Sequence, residues 1–167
     1  MVSFHDLHKI SGRARDSYSN VKSKIVLIGG SGWLGLCTLD LLSQILPDFP
    51  KNILCFGSKK RKFYLSNGHE IKQEPMYRLS KLSPDDSDTI INFSFLTKDK
   101  LSIENKETYI EINRNISRII FEQAFRLKIK RLATISSGAV YHKEGGIFND
   151  INKNIYGTLK FEEENLF

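Results

Sequence analysis

The stretch Gly29-Gly30-Ser31-Gly32-Trp33-Leu34-Gly35 decides the fold through what stands on either side of it. Before it runs Lys24-Ile25-Val26-Leu27-Ile28, apolar without alternation, which reads as a buried strand of a parallel sheet. After it comes Leu36-Cys37-Thr38-Leu39-Asp40-Leu41-Leu42, which reads as a helix ending before Pro47. Strand, glycine-rich turn and helix together make a unit suited to a dinucleotide pyrophosphate. Gly29 allows a tight turn, Gly32 lets backbone N–H groups approach phosphate oxygens, and Gly35 lets the helix pack close to the strand. The helix N-terminus then offers unpaired N–H groups and the positive end of its dipole to the anion.

Outward from this unit, apolar strands alternate with helices. Asn52 to Gly57 reads as a second short strand. Glu70 to Glu74 reads as a third, polar and at an edge, ended by Pro75. Thr89 to Phe95 is a fourth and Arg131 to Ser136 a fifth. Tyr109 to Leu127 has helical periodicity, with Ile112, Ile116, Ile119, Ile120 and Ala124 on one face. A last helix starts near Ile155. This alternation argues for an α/β domain with a doubly wound parallel sheet in strand order 3-2-1-4-5, and a ligand across the carboxyl ends of the strands.

The chain has 167 residues, enough for one domain with a real core. Residues 1–23 read as a polar lead-in with Phe4, Leu7 and Ile10 at helical spacing, and 24–167 as the domain itself. No apolar run is long enough to span a membrane and the N-terminus lacks a signal-peptide apolar region. Cys37 and Cys55 lack metal-ligand spacing and suit the core of a protein in a reducing compartment, so the cytoplasm is the expected location. His5, His8, His69 and His142 show no metal-ligand pairing, and His142 is a secondary candidate for a substrate contact. The net charge of +6 concentrates at Lys59-Lys60-Arg61-Lys62 and Lys128-Ile129-Lys130-Arg131. A nucleic-acid patch is a third reading of these clusters, but both have better local explanations.

Two further segments fall where the ligand crevice is expected. One is Ser136-Ser137-Gly138-Ala139-Val140-Tyr141, past the fifth strand; the other is Tyr156-Gly157-Thr158-Leu159-Lys160. Tyr156 and Lys160, four apart, share a helix face, where an ammonium favours phenolate and suits a tyrosine to proton exchange. A serine hydroxyl there could bond and orient the same substrate oxygen.

The order of these motifs resembles the extended short-chain dehydrogenases/reductases, and among them the NAD-dependent epimerase/dehydratase family acting on nucleotide sugars. Gly29-x-x-Gly32-x-x-Gly35 fits their cofactor turn, and Asn113, Glu122 and Glu164 fall where members often carry Asn and Glu. The resemblance runs from Lys24 to Leu166 and implies a Rossmann-like fold. It implies Tyr156 as acid/base, Lys160 as the lysine that tunes it and bonds the nicotinamide ribose, and Ser137, ahead of Ser136, as the serine that polarises the substrate oxygen. It places Gly29, Ser31, Gly32, Trp33, Leu34 and Gly35 at the pyrophosphate, with Trp33 packed beneath the turn, and Phe93, Ser94 and Phe95 beside the cofactor. Members using NAD usually carry an acid after the second strand. Here Ser58, Lys59 and Lys60 stand there, and their cations favour NADP over NAD. The resemblance also implies a homodimer through the helices at 109–127 and 156–167. It implies a sixth strand and a C-terminal substrate domain that this chain lacks, so a non-catalytic cofactor-binding remnant or partner-dependent subunit is the alternative to an active enzyme.

Overall fold

A computed structural model of the chain describes residues 24–46, 48–102, 105–141, 145–147 and 149–167. The lead-in over 1–23 and His142 lie outside the described residues. Strand β1 (Lys24–Ile28) forms the middle of a six-stranded sheet, and its last four residues are buried. β2 (Ile53–Gly57) and β5 (Ser87–Asn92) flank it in parallel, with Leu27 level with Cys55 on one side and Ile91 on the other. β4 (Glu70–Pro75) adds in parallel beyond β2, and β6 (Arg131–Thr134) beyond β5. β3 (Arg61–Tyr64) closes the outer edge antiparallel to β4, giving the order β3-β4-β2-β1-β5-β6.

The alternation of side chains along β1 divides the core in two. Ile25 and Leu27 pack with Ile53, Cys55 and Ile71 against Leu39 and Leu42 of helix α1 (Trp33–Ile45). Val26 and Ile28 pack on the other face with Phe56, Ile90 and Leu79 against Ile120 of helix α2 (Lys106–Arg126). Helices on both faces of a parallel sheet are the doubly wound architecture expected above. Helix α3 (Ile155–Leu166) packs beside α2.

Three local expectations change. The polar segment at Glu70 is an interior strand, because β3 turns back onto it through Gly68, whose φ is +86°. Only Phe63 of β3 reaches the core, so the short charged strand carries almost no hydrophobic signal. The fourth strand stops at Asn92, where its Oδ1 accepts from the Ser94 N–H at 2.8 Å and turns the chain, leaving Phe93, Ser94 and Phe95 in a loop. Helix α2 starts three residues earlier than its apolar pattern, capped by Asn105 Oδ1 accepting from Thr108 N–H at 2.7 Å. Its buried stripe is also partly polar, since Asn113 and Ser117 lie in it beside Tyr109 and Ile120.

Candidate functional site

The glycine turn is built by close approach. Gly29 sits at φ +85° and donates its N–H to Phe56 O at 2.8 Å. A Cβ on Gly29 would come within 3.0 Å of the Phe93 carbonyl carbon and 3.1 Å of Ser94 N, so the turn lies against the loop after β5. A Cβ on Gly35 would overlap Gly29 O and stand 2.6 Å from Gly30 Cα. The helix therefore meets the turn backbone to backbone, which any side chain at 35 would prevent. Gly32 caps α1 with no side-chain hydrogen bond, and the first helical bond runs from Leu36 N–H to Gly32 O at 2.8 Å. The Gly32 N–H is taken by Gly29 O at 3.1 Å, and helix geometry leaves the amides of Trp33, Leu34 and Gly35 for an acceptor outside the helix. Here the residues fit a pyrophosphate: a cradle without side chains at an uncapped helix N-terminus.

Ser31 is half-buried beside this cradle, and Leu34 is exposed. Trp33 is 75% exposed, so it flanks the turn and does not pack beneath it. Its position as the first helical residue points the ring outward, while Leu39 and Leu42 take the core-facing positions. Ser58, Lys59 and Lys60 follow β2 and are exposed, with Lys60 Nζ 3.8 Å from Glu74 Oε1.

The second half of the site hangs on α3. Asn154 Oδ1 accepts from Gly157 N–H at 2.9 Å and caps the helix, while its Nδ2 donates to Ala139 O at 2.8 Å. A Cβ on Gly157 would overlap that same carbonyl. The short 3-10 turn Gly138–Val140, which Ser137 caps, is thereby held against the start of α3, the helix that carries Tyr156. Ser137 Oγ accepts from Ala139 N–H at 3.2 Å, and Ser136 Oγ donates to Glu164 Oε1.

Lys160 is the most heavily engaged residue of the set. Its Nζ donates to Glu163 Oε2 at 2.7 Å and to Ile135 O at 2.8 Å, and lies 3.8 Å from the centroid of the Phe95 ring. The Phe95 ring also meets Tyr156 edge-on, with centroids 5.8 Å apart. Tyr156 and Lys160 are thus linked through Phe95. Burial pulls the Lys160 ammonium below the usual lysine range, and the carboxylates of Glu163 and then Glu164 push it back up. Glu163 is 2% exposed, and its Oε1 accepts from Asn92 Nδ2 at 3.3 Å and from Ser117 Oγ at 3.5 Å.

The loop holding Phe95 is anchored from α2. Asn113 Oδ1 accepts from Leu96 N–H at 2.7 Å, and Tyr109 Oη donates to Leu96 O at 2.7 Å. Burial pushes the Tyr109 phenol up to about 12; Asn113 opposes, and the charges of Tyr156 and Asp99 add to it. Sequence reasoning missed Glu163, Asn92 and Tyr109. Only Glu163 left a signal, three residues beyond Lys160 on the same helix.

Among the described residues no group of three or more His, Cys, Asp or Glu side chains is placed to hold a metal. Among them, too, no helix is long and apolar enough to cross a membrane. Chemically the arrangement offers an anion cradle at the start of α1, and a hydroxyl, a phenol and a buried ammonium around α3.

Solved structures with this fold include L-threonine dehydrogenase from Phytophthora infestans, 16% identical, with a TM-score of 0.66 over 86% of this chain and 48% of that one. L-threonine dehydrogenase from Clostridium difficile is 20% identical, with a TM-score of 0.66 over 86% of this chain and 47% of that one. UDP-glucose 4-epimerase from Brucella ovis, in complex with NAD, is 16% identical, with a TM-score of 0.63 over 86% and 46%. The chain spans about half the length of these proteins. No curated protein matches it. The sequence model of the NAD dependent epimerase/dehydratase family matches residues 25–161. That match takes in the glycine turn, Ser137, Tyr156 and Lys160, and the chain belongs to the NAD dependent epimerase/dehydratase family.

Proposed function

We propose that this chain is the cofactor-binding part of a nicotinamide-dependent oxidoreductase acting on a nucleotide sugar, with NADP preferred to NAD. The observation that carries the reading is the glycine turn, where backbone meets backbone at Gly29 and Gly35 and the start of α1 is left without a side-chain cap. A nicotinamide dinucleotide bound there supplies hydride transfer. The protein's part is to bind, orient and handle the proton. Gly29, Ser31, Gly32, Trp33, Leu34 and Gly35 surround the pyrophosphate. Phe93, Ser94 and Phe95 line the path towards α3, and Lys59 and Lys60 meet the far ribose. Tyr156 Oη exchanges the substrate proton, Ser137 Oγ bonds the substrate oxygen, and Lys160 supplies positive charge behind them. Two chains associate through α2 and α3.

A second reading, cofactor binding without catalysis, is favoured by one set of contacts. Two of the three Lys160 donors are used by Glu163 and Ile135, and the Phe95 ring covers the ammonium. A lysine so engaged must release a partner before it serves Tyr156 or a ribose hydroxyl.

Calorimetric titration of the purified chain with NADP and with NAD tests the reading. Saturable binding, tighter for NADP and lost in Gly32→Leu, is the expected result. A Cβ at 32 would stand 3.3 Å from Gly29 O, so the turn must give by a few tenths of an ångström while the larger side chain covers the cradle, and the folding of this variant is checked beside its binding. A folded chain that binds neither dinucleotide would refute both readings.

A further inference from the structure

The loop after β5 is pinned on both sides of Phe95. Ser94 N–H donates to Asn92 Oδ1 at 2.8 Å, Leu96 N–H donates to Asn113 Oδ1 at 2.7 Å, and Leu96 O accepts from Tyr109 Oη at 2.7 Å. The glycine turn stands against the same loop, since a Cβ on Gly29 would meet the Phe93 carbonyl carbon at 3.0 Å and Ser94 N at 3.1 Å. The side chains of this fixed backbone are not placed alike. Phe93 packs against the core on the α1 face, whereas Phe95 is half-buried and turns its ring to α3. A ring carried on a pinned backbone moves by changing rotamer, and the loop stays where it is.

That one ring touches both functional groups of α3. Lys160 Nζ lies 3.8 Å from its centroid, and the Tyr156 ring meets it edge-on with centroids 5.8 Å apart. An ammonium has three N–H donors. Glu163 Oε2 and Ile135 O take two of those on Lys160, and the face of the Phe95 ring attracts and covers the charge that remains. Glu163 is 2% exposed and holds the ammonium from within the fold. The side of Lys160 that a ligand can approach is therefore the side under the ring.

We propose that Phe95 is a cover over Lys160, a single side chain that a dinucleotide must turn aside before it reaches the ammonium and Tyr156. The proposal rests on the dinucleotide reading above and deepens it. Phosphates settle at the glycine turn with the ring in place, and only the half of the ligand that extends to α3 works against the ring. When the competent state is a fraction of the whole, apparent affinity falls by that fraction. A covered state favoured about tenfold, which corresponds to about 1.4 kcal/mol and is the size of a cation–π contact, weakens such a ligand about tenfold.

The test is calorimetry of the full chain, of Phe95→Ala and of Phe95→Leu with NADP, NAD and ADP, the folding of each variant being checked by circular dichroism. Phe95→Ala is expected to tighten NADP and NAD by about tenfold each, leaving the preference between them as it was. ADP lacks the half that extends to α3, and its affinity is expected to stay the same. Phe95→Leu keeps bulk but loses the π face, so it is expected to tighten both dinucleotides by less, again with ADP unchanged; it carries the test if the alanine variant does not fold. Weaker NADP and NAD binding in the variants would make the ring a platform for the ligand and overturn the cover. No change, or an equal change for all three ligands, overturns it as well, and in each of these cases the dinucleotide reading stands. Folded wild type and variants that bind none of the three ligands refute that reading and the cover with it.

Discussion

Lys160 and Glu163 form a buried ion pair, with Nζ 2.7 Å from Oε2 and side chains 6% and 2% exposed. Each charge is out of water, and each has further partners: Ile135 O and the Phe95 ring for the lysine, Asn92 and Ser117 for the carboxylate. Desolvation of two such charges is offset only while both are present. Lys160→Met and Glu163→Gln are therefore each expected to cost about 3–5 kcal/mol in urea unfolding, and the double variant less than the sum of the two. Strictly additive losses would mean the pair is not coupled.

The glycines of the turn differ in what replacement should do. At Gly35 a Cβ meets rigid backbone 2.6 Å away, whereas at Gly138 nothing lies within 4 Å. Gly35→Ala is expected to destabilise by about 1–3 kcal/mol or more through overpacking, and Gly138→Ala to stay within about 0.5 kcal/mol of wild type. Thermal unfolding of both variants checks the contrast, and equal melting temperatures would contradict the close approach.

Alkaline pH should loosen the fold. Burial raises the Cys55 thiol from 9.0 to about 12, and Tyr109 from 10.0 to about 12. In both cases the folded state keeps a proton that the unfolded state has lost, so stability falls as pH rises through these windows, by about 1.4 kcal/mol per pH unit for each group. Lys160 acts in the opposite sense: its lowered folded value lets the unfolded chain bind more protons below 10.5, so its contribution improves with rising pH until there. The steepest loss is expected above pH 10.5, where that offset ends. Cys55→Ala should flatten the slope of stability against pH from 9 upwards, read by urea unfolding at each pH. An unchanged slope in that variant would contradict a buried thiol.

The outer side of α2 and α3 carries aromatic surface. Phe125 is 84% exposed, and the rings of Phe121 and Phe167 lie 6.4 Å apart. The seam between the helices opens as a hollow of about 280 Å³ lined by Ser117, Leu159, Glu162 and Leu166 among others. Exposed apolar area of this kind favours association. Concentration-dependent dimerisation is expected in sedimentation equilibrium, with Phe125→Glu shifting the chain to monomer. A wild-type chain that stays monomeric up to its solubility limit would count against the α2–α3 interface.

The sequence by itself determined the strand, glycine turn and helix at 24–45, the parallel α/β class and the strand order from β4 through β2, β1 and β5 to β6. These were legible because they depend on local periodicity and on backbone conformations that only glycine adopts. The existence of β3 was not legible, since four charged and aromatic residues become a strand only by pairing with β4. The family resemblance set Trp33 beneath the turn, while its exposure depends on which way α1 meets the sheet. Only the tertiary structure decided what Lys160 and the basic loop are bonded to. Asn92 and Glu163 are 71 residues apart and Gln73 of β4 reaches Lys59 past the end of the neighbouring β2, so their contacts exist only once the sheet has brought them together. Charge and burial are properties of that assembled environment: the same lysine on an isolated helix would face water, and the same carboxylate at 74 would meet neither Lys60 nor Arg78 in a fixed geometry.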